Sequence, residues 1–121
     1  MDTQIDRPTR FLEWAHKTFG DVGLDPQERA MRFLEEAIEV AHTAGISANT
    51  MQAIVARVTA RPYGNIGREI GQALCALELF AKVAGVDAES EAASEFIRVQ
   101  SIPQAEWDRR HAAKVKIGIA K

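Results

Sequence analysis

The sequence has one cysteine and almost no net charge. Cys75 has no partner for an intrachain disulfide and no CxxC or Cys/His neighbours, which excludes a disulfide-stapled scaffold and a structural zinc site. Lys and Arg number 15 against 17 Asp and Glu, and the net charge of −2 gives no whole-chain attraction to nucleic acid or anionic membranes. We expect a reducing, cytoplasmic location and no membrane or nucleic-acid polymer as partner.

Long apolar runs and aromatic residues are also scarce. No segment has the roughly 18 to 20 uninterrupted apolar residues of a membrane-spanning helix. The opening segment, MDTQIDRPTR, lacks the apolar run of a signal peptide. Aromatic residues make up only 7% of the 121 residues, whereas hydrophobic residues make up 46%, enough for one ordinary core. We therefore expect a single domain over residues 1–121.

Helical patterns fill the sequence, whereas the alternation typical of strands is nearly absent. Capping residues predict the helix starts, at Asp25, Ser47, Asn65 and Asp87. Glycines predict helix ends, at Gly20, Gly45 and Gly85. The pattern predicts an all-α bundle of four to six helices, with a core over about residues 9–100 and a basic C-terminal helix or tail over about residues 103–121.

The second predicted helix carries three glutamates within little more than one turn, in the run FLEEAIEVA. Glu36 and Glu39 are three residues apart, so their side chains are neighbours on one helical face and can share a cation. A solvated acidic face is the alternative, because both residues lie away from the apolar stripe of this helix.

Glu69 lies in the most apolar predicted helix, on the same side as its small and aromatic residues, Ala73, Ala76, Phe80 and Ala84. We expect that side to be buried, and an unpaired buried carboxylate is costly. A metal ion would offset the cost, and an ion pair with Arg29, Arg32 or Arg57 is the alternative. Carboxylates converging from two helices suit Mg²⁺ or Mn²⁺ and a phosphate-bearing substrate.

The run Glu35-Glu36-Ala37-Ile38-Glu39, followed by Glu69-Ile70-Gly71-Gln72, resembles the EExxE…ExxD signature of the MazG-like nucleoside triphosphate pyrophosphohydrolases, which are all-α proteins. The resemblance extends over about residues 25–88. It implies hydrolysis of a nucleoside triphosphate with Mg²⁺ to the monophosphate and pyrophosphate. It also implies a homodimer or homotetramer.

The resemblance further implies roles for single residues. Glu36, Glu39 and Glu69 are the metal ligands, and Glu35 is a further ligand or orients the attacking water, so that Glu35 and Glu36 are the expected catalytic residues. Gln72, a fourth ligand by position, stands where the family pattern has Asp and offers a carbonyl oxygen without charge. The loss of that charge predicts weaker metal binding, fewer ions, or nucleotide binding without turnover.

Residues outside the acidic pattern complete the expected substrate site. The stretch from Arg98 to Lys121 holds six Lys and Arg residues against two acidic ones. Lys114 and Arg110, four residues apart on one helical face, are predicted to contact the substrate phosphates, and a solvated helix end is the alternative. Trp14 is predicted to stack on the base, unless it belongs to the core or to a subunit interface.

Three functions stay open on the sequence alone. The first is a Mg²⁺-dependent nucleoside triphosphate pyrophosphohydrolase. Gln72 motivates the second, a catalytically silent nucleotide-binding or regulatory protein of the same fold. The third is a helical interaction module with a solvated acidic face. We also expect a homo-oligomer, because the apolar helix over about residues 66–84 carries more Leu, Ala and Phe side chains than a small monomer covers.

Overall fold

A computed structural model describes residues 6–121. Residues 1–5 belong to the predicted domain and to the segment that lacks a signal-peptide pattern, and they lie outside the described residues. The described chain is helical and contains no strand, which confirms the all-α class. None of its helices is both long and apolar enough to cross a membrane.

Six α-helices and one 3-10 helix make up residues 6–121, within the predicted number. In chain order they are α1 (Arg7–Phe19), the 3-10 helix (Gly20–Leu24), α2 (Pro26–Thr43), α3 (Ala48–Thr59), α4 (Ile66–Ala84), α5 (Ala88–Gln100) and α6 (Gln104–Lys116). The 3-10 helix lies between the predicted helix end at Gly20 and the predicted helix start at Asp25. A backbone hydrogen bond of 3.1 Å from Asp25 N to Val22 O closes this short turn.

The predicted capping residues begin the helices. The side chain of Asn65 accepts a hydrogen bond from the backbone of Arg68 at 2.9 Å, and Asp87 accepts one from Ser90 at 3.1 Å. Asp25 and Ser47 cap α2 and α3 in the same way. These caps are local, since each joins residues three apart, and they therefore follow directly from the sequence.

The chain forms two compact units. Unit 1 combines the chain up to Glu39 with Ala93–Lys121, and unit 2 is the continuous stretch Val40–Ala92. The acidic run of α2 and the basic helix α6 therefore belong to unit 1. Glu69 belongs to unit 2.

The core of unit 1 is an aromatic cluster between α1 and α6. The ring of Trp14 lies 5.2 Å from that of Trp107 and 5.7 Å from that of Phe19, in edge-to-face contacts. The 3-10 helix packs closely on α1, because a Cβ atom at Gly23 would lie 2.3 Å from the carbonyl oxygen of Ala15. Only glycine fits this contact without a backbone shift.

Unit 2 exposes most of its apolar side chains. In α4, Ile70, Leu79 and Val83 are 62%, 67% and 79% exposed, and the buried residue of this helix is Ala81. In α3, Ile54, Val55 and Val58 are exposed as well. Of the side of α4 that the sequence analysis expected to be buried, Ala76, Phe80 and Ala84 are exposed and Ala73 is half-buried in the single chain.

Candidate active site on the acidic helix

Glu36 and Glu39 form a pair of neighbouring carboxylates on α2. Both are exposed. Partial desolvation raises the pKa of Glu36, and the negative charges and hydrogen bonding of the nearby Glu39, followed by the charge of Glu35, raise it further. A cation shared by two neighbouring carboxylates offsets the repulsion between their negative charges. The neighbour relation expected from their spacing is therefore present.

Glu35 has different surroundings, because it faces cations. Its Oε1 lies 2.9 Å from Nζ of Lys114 in α6 and 3.9 Å from Nη1 of Arg32 in α2. Lys114 was expected to contact substrate phosphates, and in this structure its ammonium group contacts a carboxylate. Glu35 is thus in direct contact with cations, whereas desolvation and the neighbouring carboxylates outweigh the opposing charge of Lys114 at Glu36.

The other two expected substrate contacts also have partners within unit 1. Nε of Arg110 lies 2.9 Å from Oε1 of Glu106, and its guanidinium lies 5.2 Å from the ring centre of Trp107. The ring of Trp14 packs against Phe11, Phe19 and Trp107. This is the packing of a core residue, which was the alternative considered for Trp14.

Glu69 and Gln72 lie in the first two turns of α4, within unit 2, and both are exposed. The expected burial of Glu69 is wrong for the single chain, because the apolar side of α4 that it was to share is itself exposed. The carboxylate lies over the backbone of Gly64, where an added Cβ atom would be 2.7 Å from Glu69 Oε1.

The buried carboxylate of the described chain is Glu28, which is 1% exposed. Its Oε1 accepts a hydrogen bond of 3.0 Å from the backbone N of Lys121. Its Oε2 has three cationic or titratable neighbours, with Arg29 Nη2 and Arg32 Nε each at 3.7 Å and His111 Nδ1 at 3.9 Å. Arg29 and Arg32 were the expected partners of a buried glutamate, although that glutamate was taken to be Glu69.

The sequence analysis assigned neither Glu28 nor His111 to a site. Asp25 and Glu28 have the spacing of a capping box, and the backbone N of Glu28 donates to Asp25 Oδ2 at 2.9 Å, but the side chain of Glu28 accepts from Lys121 instead. His111 of α6 is partly buried beside Glu28. The local indication in the sequence was the position of Glu28 before Arg29 and Arg32. Its other partners, His111 and Lys121, are remote in sequence.

No group of three or more His, Cys, Asp and Glu side chains among residues 6–121 is arranged to hold a metal ion. Glu36 and Glu39 supply two oxygen donors, the number of carboxylates with which proteins commonly bind Mg²⁺ when substrate phosphates and water complete the coordination.

Comparisons of the chain with protein-family models, with curated proteins and with solved structures find no significant match. A functional assignment therefore depends on the acidic residues of α2, their contacts and the sequence pattern that contains them.

Proposed function

We propose that the protein is a Mg²⁺-dependent nucleoside triphosphate pyrophosphohydrolase, which converts an NTP or dNTP and water to the nucleoside monophosphate and pyrophosphate. The observation that carries the proposal is the adjacency of Glu36 and Glu39 on one face of α2, where partial desolvation and the neighbouring Glu39 raise the pKa of Glu36. The EExxE run that contains the pair, and its resemblance to the MazG-like pyrophosphohydrolases, supply the reaction class.

The donor chemistry of α2 fits Mg²⁺, which prefers carboxylate, water and phosphate oxygens. Glu36 and Glu39 would hold the ion, with Glu69 and Gln72 of α4 as further proposed ligands. Mg²⁺ bound there would supply charge neutralisation for the triphosphate during phosphoryl transfer.

Glu35 is proposed to orient the attacking water. Its contact of 2.9 Å with Lys114, together with Arg32 at 3.9 Å, restrains the carboxylate on one side. A restrained carboxylate can hold a water molecule in a fixed direction at a smaller entropic cost than a mobile one. Lys114, lying beside this carboxylate, is also available to a phosphate group that approaches α2.

Turnover and its loss are tested by incubating the protein with a panel of NTPs and dNTPs in Mg²⁺ and separating the products. We expect monophosphate and pyrophosphate from the wild type, and a loss of about 100-fold in rate for Glu36→Gln, since a direct metal ligand is removed and even outer-shell partners cost about 10- to 100-fold. Glu13→Gln, an exposed glutamate of α1, is the matched control and should retain the wild-type rate. Retention of activity by Glu36→Gln, or release of orthophosphate instead of pyrophosphate, would contradict the proposal.

Gln72 favours a second candidate, a nucleotide-binding protein of the same fold without turnover. Replacement of the family's Asp by an amide removes one negative charge from the proposed ligand set. Calorimetric titration with Mg²⁺ and a nucleoside triphosphate distinguishes the two, because binding without product formation supports the second candidate. Neither binding nor a nucleotide-dependent rise in melting temperature would leave a helical interaction module as the better description.

A further inference from the structure

We propose that residues 117–121 form a latch on α2, and that Glu28 and Arg32 are positioning residues that hold α6, and with it Lys114, against the acidic helix. We name residues 117–121 the C-terminal latch. The kinetic test of the latch rests on the proposed function, whereas the hydrogen-exchange and coupling tests do not.

The chain reverses direction directly after α6. Gly118 has a φ of 79°, a conformation that favours glycine. Ile119 N donates to Lys114 O at 3.0 Å and Gly118 N donates to Val115 O at 3.1 Å, which closes the end of α6 in the manner of a Schellman motif. The turn directs the last residues of the latch back along unit 1 towards α2.

Four side chains, from Asp25, Glu28, Arg32 and His111, then attach the latch to α2 and α6. Arg32 Nη2 donates to the carbonyl oxygen of Ile119, and Glu28 Oε1 accepts from the backbone N of Lys121 at 3.0 Å. His111 Nε2 lies 2.7 Å from the carbonyl oxygen of Lys121. Nζ of Lys121 lies 3.5 Å from Asp25 at the start of α2.

Burial decides which of these contacts dominates. Asp25 and Lys121 form a partly exposed pair, and pairs of that kind contribute little. Glu28 is 1% exposed, and a buried carboxylate that loses its donors retains the full cost of its desolvation. Opening of the latch would remove the hydrogen bond that Glu28 accepts from Lys121, and this bond favours the closed arrangement.

Arg32 connects the latch to the acidic run. Its guanidinium lies 3.7 Å from Glu28 and 3.9 Å from Glu35, and it also donates to Ile119 O. Glu35 receives Lys114 from α6 on the same oxygen, Oε1. Release of the latch therefore frees the end of α6 from which Lys114 reaches Glu35.

The first test measures amide hydrogen exchange in the full chain by NMR. We expect Glu28→Ala to accelerate exchange of the Lys121 amide at least 10-fold, and Glu28→Gln, which keeps an oxygen acceptor, to accelerate it less. Gly23→Ala is the control for general destabilisation, since it disturbs the contact with Ala15 and leaves the latch intact. The two variants are compared at the same interval below their melting temperatures. If Gly23→Ala then accelerates exchange of the Lys121 amide as much as Glu28→Ala, the exchange reports general destabilisation and the proposal is overturned.

The second test is a double-mutant cycle on Glu35 and Lys114, using Glu35→Gln and Lys114→Met and urea unfolding. The cycle is measured in the wild-type background and again with Glu28→Gln. We expect a favourable coupling between Glu35 and Lys114 in the first background and its loss in the second. Equal coupling in both would show that Glu28 does not position α6. Arg32→Lys, which keeps the charge but lacks the planar fork, should also weaken the coupling.

The activity readout separates positioning from stability. If Lys114 contacts the substrate, Glu28→Gln should raise KM for the nucleotide several-fold at unchanged kcat, whereas Gly23→Ala should leave both unchanged below its melting temperature. A fall in kcat at unchanged KM for Glu28→Gln would contradict the role of Glu28 in positioning a substrate-binding residue. Absence of turnover in the wild type would refute the proposed function, and the exchange and coupling results would still decide the latch.

Discussion

At the scale of single residues, the three glutamates of α2 differ by what surrounds them. Glu35 faces Lys114 and Arg32, whereas Glu36 and Glu39 face each other. The spacing of three residues predicted the second relation, because it depends only on helix geometry. The first relation depends on α6, which is remote in sequence. The sequence therefore predicts only part of the surroundings of each glutamate in this run.

Replacement of Glu36 by Gln is expected to stabilise the fold at neutral pH. Desolvation and repulsion by Glu39 raise the pKa of Glu36 in the folded protein. At pH values above the pKa of this group in the unfolded chain, its ionised form therefore destabilises the fold. The gain should be about 0.5 kcal/mol, the size of one like-charge pair on a helix. Urea unfolding at pH 7 measures it, and the difference from wild type should disappear as the pH falls below the ordinary value of 4.5.

Mg²⁺ provides the complementary measurement on the same pair of proteins. The wild-type melting temperature should rise with Mg²⁺ concentration, because a ligand that binds the folded state stabilises it. The Glu36→Gln variant should show a smaller rise, and Glu13→Gln the full one. A variant that is less stable than wild type in metal-free buffer would indicate that Glu36 has a favourable partner and is not a strained carboxylate.

Glu28 illustrates what sequence reasoning could not reach. The expectation that a buried carboxylate exists, with Arg29 or Arg32 as partner, was physically sound, but it was attached to Glu69. The hydrogen-bond donor to Glu28 is the backbone N of Lys121, which lies 93 residues later. Hydrophobic periodicity does not carry information about such a partner.

At the scale of elements, the starts and ends of the helices were largely predictable, whereas their neighbours were not. Asn65 and Asp87 cap helices through hydrogen bonds to residues three positions later in the chain. Proline and glycine also begin or end helices through local backbone geometry. The packing of α1 on α6 brings Trp14 to Trp107, and no local pattern specifies that contact. This packing makes Trp14 a core residue of unit 1.

The helix α6 contains its own ion pairs, which give it a defined response to acid. Hydrogen bonds from Arg109 and then from Arg110 lower the pKa of Glu106 to about 2. Because the folded-state pKa is lowered, the contribution of Glu106 to stability is complete above the ordinary value of 4.5 and is lost as the pH falls towards 2.

Glu106→Gln should therefore lower the melting temperature at pH 7 and have a smaller effect at pH 3. The difference between variant and wild type, measured by circular dichroism at both pH values, isolates this glutamate from the other acidic groups. Asp108→Asn, on the same helix, is the matched control. An effect of Glu106→Gln that grows on acidification would contradict the assigned ion pairs.

At the scale of the whole molecule, unit 2 exposes many apolar side chains, and association of the chain with itself stays a prediction. Leu79 and Val83 of α4 are more than half exposed, as are Phe33 and Leu34 of α2 in unit 1. Apolar exposure of this extent marks an interaction surface more often than a free one. The number of subunits and the arrangement of α4 in such an assembly stay predictions.

Light scattering after size-exclusion chromatography measures the association directly. We expect a dimer or tetramer for the wild type at micromolar concentration, and a shift towards monomer for Leu79→Glu or Val83→Glu, because a charge would be desolvated in the interface. Lys82→Glu, between them on α4, controls for the change of charge. A monomeric wild type with the same mass as both variants would exclude self-association through α4.

Unit 1 is discontinuous in the chain, and this has a consequence for the order in which the protein folds during synthesis. Unit 2 leaves the ribosome as one uninterrupted stretch, whereas α1 and the first part of α2 emerge long before α6. The interval between Glu28 and Lys121 corresponds to a loop-closure cost of about 4 kcal/mol for a flexible chain. Until α6 and the latch are translated, Trp14 lacks Trp107, and Glu28 lacks His111 and Lys121. The nascent chain therefore acquires its acidic helix early and its fixed surroundings last.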